Sequence, residues 1–296
     1  MCPMKQSASA VHKSQRDDGK NPRVLNLLQA NWLLPNEIKT CITQANTQLL
    51  DMPQSDSSRN FNIQNYGFNL ATHVGDDLSM VLMRRKYLRE ILALLNEPAW
   101  VSQVSQSRVI CLEDDYTGVS QEADASFTFE KNRICVVNTA DCLPILVSDT
   151  QGNFVAAIHA GWQGLQLDII SKALVAIQQK AKTLQCKLGQ THAYIAPSIS
   201  QANYQVGQDF QSRFVRMSAL YAEDFLAEEC ASGSQSCTYL ANLNAIAKKQ
   251  LLHSGVSHIH ESQICTYQNN SFYSHRRACH LGNKNEGRFA SMIWRT

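Results

Sequence analysis

Cys142 and His159 stand seventeen residues apart, each at a margin of an apolar run. The first lies in Thr139-Ala140-Asp141-Cys142-Leu143-Pro144 and the second in His159-Ala160-Gly161-Trp162. A thiolate and an imidazole are good zinc ligands and also a common nucleophile and base couple. Both residues sit where β-structure gives way to a turn, a place where a rigid scaffold aims side chains into a cleft. A third candidate, His73, precedes the helix-entry signal Gly75-Asp76-Asp77, whose carboxylates can cap backbone N–H groups and oppose the helix dipole. Three such ligands would leave zinc an open position; two alone would be a nucleophile with its base. Asp76, Asp77 and Asp141 are the nearest carboxylates in sequence, each with an alternative as a cap or turn former. Arg276, Arg277 and Arg288 are candidates to cradle a phosphate, with surface ion pairs as the alternative.

These residues need elements to hold them. Residues 133–138 read as a buried strand running into Asp141 and Cys142, and residues 144–148 resume as strand. A turn around Gly152 leads into a strand over 154–158 that delivers His159. Residues 165–184 form a strong amphipathic helix, with Ile169, Ile170, Ala173, Leu174, Ile177 and Ala181 on one face. A helix follows Asp77 to about residue 95, and helical spacing of Ile38, Ile42, Ala45 and Leu49 predicts another over 35–50. Residues 108–112 and 126–128 read as short strands around an acidic loop, Glu113-Asp114-Asp115. Further helices are expected over 208–226 and 240–253, and strands over 191–195, 256–260 and 288–294. Residues 22–34 read as an edge strand or loop, and residues 55–64 as a loop. Strands and helices interleave without a linker, so residues 22–296 read as one mixed α/β (α+β) domain behind a mobile tail over 1–21.

Composition narrows the classes. With 296 residues, 44% hydrophobic and 18% charged, a sizeable core is expected. A net charge of +2 without a Lys/Arg run argues against a nucleic-acid binder. No apolar stretch approaches the roughly 20 residues a membrane helix needs. The ten cysteines show no C-x-x-C pair, and the polar N-terminus has no export signal, so free thiols in the cytoplasm are expected.

The set Asn69-Leu70-x-x-His73-Val74-Gly75-Asp76-Asp77, Ala140-Asp141-Cys142-Leu143-Pro144 and His159-Ala160-Gly161-Trp162 resembles the laccase-domain family, variously called multicopper polyphenol oxidase and purine nucleoside phosphorylase. Ala196-Pro197-Ser198-Ile199, Tyr204-Gln205-Val206-Gly207, Cys265-Thr266, the run from Phe272 to Arg277 and Gly287-Arg288 extend the likeness to the C-terminus. The resemblance implies two mixed sheets sandwiched and flanked by helices. It implies one zinc held by His73, Cys142 and His159, and nucleoside and phosphate as small-molecule partners. The implied activities are phosphorolysis of adenosine, inosine and methylthioadenosine, and deamination of adenosine. Zinc lowers the pKa of bound water to about 7, and deamination needs a carboxylate to move protons. Asp141 and Asp76 are the expected catalytic acids and Arg276 the expected phosphate ligand. A multicopper centre fails by counting, because it needs about ten imidazoles and the chain has nine histidines with a single His-x-His pair, His258-Ile259-His260. Copper could still occupy a single site.

Three departures bear on the pocket. The family's Gln-Val-His-Gly segment is expected where this chain reads Cys111-Leu112-Glu113-Asp114-Asp115-Tyr116-Thr117-Gly118. Gln163 replaces the usual Arg after His-Ala-Gly-Trp, and Arg84-Arg85 replaces Asn-Arg. These leave two alternatives: a Cys142/His159 amide hydrolase of the kind that edits peptidoglycan precursors, or a non-catalytic metal-binding member. Oligomeric state is not readable from the sequence.

Overall fold

A computed structural model describes residues 27–45, 66–118, 121–228, 237–283 and 286–296. The expected tail over 1–21 and loop over 55–64 lie outside the described residues. In chain order the strands are β1 (Leu27–Leu28), β2 (Ile38–Thr43), β3 (Val109–Cys111), β4 (Ala125–Thr128), β5 (Ile134–Thr139), β6 (Leu143–Asp149), β7 (Val155–Ala160), β8 (Thr191–Ile195), β9 (Gln205–Gly207), β10 (Phe225–Ala227), β11 (Thr238–Ala241), β12 (His258–Glu261) and β13 (Phe289–Arg295). The helices are α1 (Leu78–Ile91), α2 (Leu112–Asp115), α3 (Trp162–Gln166), α4 (Ile169–Thr183), α5 (Gln208–Met217), α6 (Leu243–His253) and α7 (His275–His280).

Two large sheets carry the fold. One runs β1-β2-β13-β5 and is antiparallel; the other runs β12-β8-β6-β7-β4-β3 and is mixed, with parallel pairs at both edges. A small third sheet, β10-β11-β9, stands beside them. Side chains alternate along each strand, so each sheet feeds two cores. Leu143, Ile145 and Val147 of β6 pack with Ile169, Ile170 and Ile177 of α4 and Ile246 of α6. Leu146 of β6 and Val155 of β7 face the other way, against Cys135, Val137, Ile42 and Ile293 of the second sheet. Ile134, Val136 and Met292 on that sheet's outer face meet Leu88 of α1. The order is therefore helix, sheet, sheet, helix, the flanked sandwich implied by the resemblance.

Several element boundaries differ from the periodic reading. Residues 38–43 form β2 where a helix was expected. Ile38 and Ile42 share a helix face, but a spacing of four is even and shares a strand face equally well; both indeed enter the inter-sheet core. The β-branched Ile and Thr residues and the β13 neighbour favour the strand. The helix over 165–184 is broken by Asp168 at φ 56°, giving α3 and α4. The helix expected over 208–226 ends at Met217, after which a 3-10 turn and β10 follow. Cys41, Cys111, Cys135, Cys142, Cys186, Cys265 and Cys279 are free thiols as expected, whereas Cys237 is disulfide-bonded.

An imidazole group gathers at the β12 edge. His258 pairs with His192 across β12 and β8, and His260 follows on the same face. Burial first, then the charges of His258 and His260, hold the His192 pKa below its ordinary 6.5. Burial, then His258, does the same at His260. The folded protein thus binds fewer protons here than the unfolded chain. Its stability is intact above the ordinary value and is lost as pH falls below it. The melting temperature is expected to drop between about pH 7 and about pH 5, and His192→Phe should flatten that slope. An unaltered slope in the variant would contradict the assignment.

Candidate active site

Strand register brings Cys142 and His159 together. Leu143 pairs with Ala160 and Pro144 with His159, so Cys142, one residue before β6, lies across from Gly161. Alternation puts Cys142, His159 and Asp124 on the face that carries Leu146 and Ala157, toward the second sheet. A Cβ on Gly161 would stand 3.0 Å from Cys142 Sγ and 3.4 Å from His159 Nε2. Thiol and imidazole nitrogen therefore converge over a residue that must lack a side chain.

His159 is 9% exposed. Its Nδ1 lies 3.5 Å from Asp124 Oδ1, and its backbone N–H donates to Asp124 O at 2.7 Å. Burial alone would lower its pKa, but a negative Cys142 and the hydrogen bonds from Asp124 and Cys142 push it up to about 9. Asp124 is wholly buried. Its carboxylate accepts the backbone N–H groups of Val104 at 3.1 Å, Ser105 at 2.7 Å and Gln106 at 2.8 Å. Burial works to raise its pKa, but His159 and these N–H groups hold it below the usual carboxylate value. A carboxylate on one imidazole nitrogen fixes which nitrogen faces the site, the arrangement common behind histidine metal ligands.

His73 lies exposed in the loop before α1. Partial desolvation, then Arg288, Arg85 and His159, lower its pKa, so all three cationic groups lie within electrostatic reach of its ring. Arg85 donates Nε to Leu70 O at 2.9 Å and stacks 4.0 Å over Trp100. Arg288 Nη1 reaches Glu286 Oε1 at 2.7 Å, and its backbone N–H donates to Asn69 Oδ1 at 2.8 Å. Among the described residues, no three His, Cys, Asp or Glu side chains already stand in ligating geometry. Cys142 and His159 lie together, and His73 stands within electrostatic reach of His159.

The two expected acids are occupied elsewhere. Asp141 is buried at φ 88° where the chain passes from β5 in one sheet to β6 in the other. Its Oδ1 accepts from Thr266 Oγ1 at 2.6 Å and its Oδ2 from the Arg276 N–H at 2.7 Å. Those bonds hold a backbone conformation that few non-glycine residues adopt, and they aim Cys142. Asp76 Oδ2 takes Arg84 Nη1 at 2.5 Å and Asn69 Nδ2 at 2.9 Å, while Oδ1 takes the Asp77 N–H at 2.8 Å. Asp77, the other capping candidate, is the N-cap of α1. With both oxygens of each carboxylate engaged, Asp141 and Asp76 position loops and do not stand free to move protons.

Arg276 donates Nη1 to Gln205 O at 3.0 Å and lies 5.0 Å over the Tyr204 ring. Burial, then the charge of Cys142, raise the Tyr204 pKa, against Arg276, which places the Tyr204 ring within electrostatic reach of both the thiol and Arg276. Arg277 is a clamp: its guanidinium donates to Thr266 O, Tyr267 O and Phe272 O. The acidic segment after Cys111 lies at the other end of its sheet. Cys111 pairs with Phe127, three positions along β4 from Asp124, and Glu113 accepts the Phe129 N–H beyond it. Asp114 pairs with Lys180 at 2.7 Å. That segment does not line the site. The stretch that wraps Asp124 is Gln103-Val104-Ser105-Gln106, three of whose backbone N–H groups its carboxylate accepts; this stretch, unlike the segment after Cys111, contains a Gln-Val dipeptide. Gln103 also bridges to β5, donating to Asn138 O and accepting from Asn138 N–H. Sequence reading passed over Asp124, and it named Arg85 and Tyr204 only within the segments compared with the family, without a role in the site.

Comparison with known proteins gives a consistent set. Residues 57–296 match the family described as multi-copper polyphenol oxidoreductase laccase. A Haemophilus influenzae protein named purine nucleoside phosphorylase is 37% identical over 77% of this chain and 86% of its own length. A Shigella flexneri protein named purine nucleoside phosphorylase YfiH is 30% identical over 90% of this chain and 98% of its own. The crystal structure of a Neisseria meningitidis protein of the DUF152 family superimposes with a TM-score of 0.74 at 32% identity, covering 91% of this chain and 99% of that one.

Proposed function

Because the chain belongs to the multi-copper polyphenol oxidoreductase laccase family, and because its relatives are named purine nucleoside phosphorylases, we propose that it is a purine nucleoside enzyme that works with one zinc ion. Its reactions are phosphorolysis of adenosine, inosine and methylthioadenosine, with deamination of adenosine at the same centre. The observation that carries this reading is the convergence of Cys142 Sγ and His159 Nε2 over Gly161, with Asp124 behind the imidazole.

The donor set fits zinc. Cys142 and His159 would hold it, with His73 as the third ligand drawn in from the loop. A thiolate with two imidazoles suits a catalytic zinc and leaves a position open. Nine histidines do not furnish the roughly ten that a multicopper centre demands. When bound, zinc supplies Lewis acidity toward a phosphate or purine substituent.

The chain's own groups do the rest. Asp124 holds Nδ1 of His159 and turns Nε2 toward the site, where a bound metal would take the place of the proton that the raised pKa otherwise keeps there. Arg85 and Arg288 supply positive charge beside His73, where an anionic co-substrate is favoured. Arg276 lies over the Tyr204 ring, which is within electrostatic reach of the thiol. In phosphorolysis a phosphate oxygen bonds to the ribose C1′ as the bond to the purine nitrogen breaks, and these guanidiniums orient that phosphate.

A second reading is favoured by one observation. Asp124, His159 and Cys142 form a line in which a carboxylate orients an imidazole that faces a thiol, the order of a cysteine hydrolase. Alkylation separates the two. With saturating zinc, iodoacetamide should modify Cys142 slowly, and should do so quickly once zinc is chelated, because a ligated thiolate is protected. Equal rates in both conditions, with amide hydrolysis and no nucleoside turnover, would replace the zinc reading with the hydrolase.

A further inference from the structure

We propose that His192, His258 and His260 form a second metal site, for a divalent late transition metal such as zinc, nickel or cobalt, at the β12 edge of the six-stranded sheet. It uses no residue of the Cys142 and His159 centre and does not depend on the nucleoside reading.

The backbone supplies the juxtaposition. β12 runs parallel to β8 with His258 opposite His192, and residues two apart on a strand share a face, so His260 joins them. The His192 and His258 ring centroids are 4.5 Å apart, and those of His192 and His260 are 5.7 Å apart. Two imidazoles on one tetrahedral zinc, with bonds of about 2.0–2.1 Å, have centroids roughly 5 Å apart. The two spacings around His192 bracket that value.

Their nitrogens also lack other employment. His192 is 6% exposed, yet neither Nδ1 nor Nε2 has a hydrogen-bond partner, and the buried Nε2 of His260 has none either. A dehydrated ring nitrogen without a partner costs free energy, and a metal satisfies one on each ring at once. His258 is exposed and gives the ion a way in. The rings do not yet point at one centre, so binding turns the exposed His258 side chain inward. Imidazole-only donors select late first-row metals over magnesium or calcium. The opposite face of β12 carries Glu261, which is paired to Lys248 and takes no part.

The test is a cobalt(II) titration of the full-length protein against His258→Gln and His260→Gln, both near the surface. Cobalt at the Cys142 centre gives a thiolate charge-transfer band; cobalt on imidazoles alone gives only d–d bands. The expected result is that each variant binds the imidazole-only cobalt at least about tenfold more weakly. The thiolate band and nucleoside turnover should stay as in the parent. Added zinc should raise the melting temperature of the parent more than that of either variant. Unchanged cobalt affinity and stoichiometry in both variants would overturn the site. Absence of the thiolate band in every protein would count against the Cys142 centre alone, since loss of imidazole-bound cobalt in the variants would still be read separately.

Discussion

Replacing Asp124 with alanine is expected to cost roughly 3–5 kcal/mol of folding stability and to weaken binding of the proposed zinc at His159 by about 10–100-fold. The carboxylate is wholly buried and accepts three consecutive backbone N–H groups, from Val104, Ser105 and Gln106, besides facing His159. Alanine strands those donors away from water. Asparagine keeps the volume but turns an NH2 toward N–H groups, so it should recover only part of the loss. Urea unfolding reads the stability, and zinc content with nucleoside turnover reads the site. An alanine variant that unfolds like the parent would show that water replaces the carboxylate and would remove Asp124 as the organiser of the centre.

The second large effect is expected at Arg84. Its guanidinium is 2% exposed and meets Asp76, itself 6% exposed, at 2.5 Å. It also donates to Asn69 O at 3.2 Å. Removing one member of a buried pair leaves the other charge uncompensated, so Arg84→Met should lose about 3–5 kcal/mol. The double variant Arg84→Met with Asp76→Asn should regain part of that, because no bare charge remains. Asn69 binds Asp76, Ala71 and Arg288 N–H together. The single variant should therefore also disturb the loop of His73 and lower turnover. Equal stability of the single and double variants would show that Asp76 is not left as an uncompensated charge.

The sequence exposed the hairpin that makes the site with little ambiguity. Both strands are continuous apolar runs, the turn holds Gly152, and Cys142 and His159 terminate the strands at one end. Much less visible was what lies behind them. Asp124 precedes a four-residue strand and looks like any turn carboxylate; only the pairing of β4 with β7 sets it beside His159. Asp76 and Asp141 illustrate the converse. Proximity in sequence to His73 and Cys142 suggested proton transfer, but their partners, Arg84, Thr266 and Arg276, are distant in sequence or about two helix turns away. Register also decided the acidic segment after Cys111, because three residues along β4 separate its end of the sheet from the site. The His-x-His pair was legible, whereas its third member, His192, required the parallel pairing of β8 with β12.

Asp141 sits where the chain crosses from one sheet to the other, with Cys142 immediately beyond it and His159 wholly in the second sheet. Cys142 and His159 share the β6–β7 hairpin, but Cys142 is also tied through Asp141 to β5 of the other sheet, so the spacing of these two proposed ligands works as a strain gauge for sliding between the layers. A substitution deep in the interlayer core, such as Val137→Ala or Ile293→Ala, touches neither side chain, yet it would register as a change in the spacing of sulfur and nitrogen. Fidelity of the centre is in this sense a property of how the two layers are held in alignment, and distant packing faults should be heard there first.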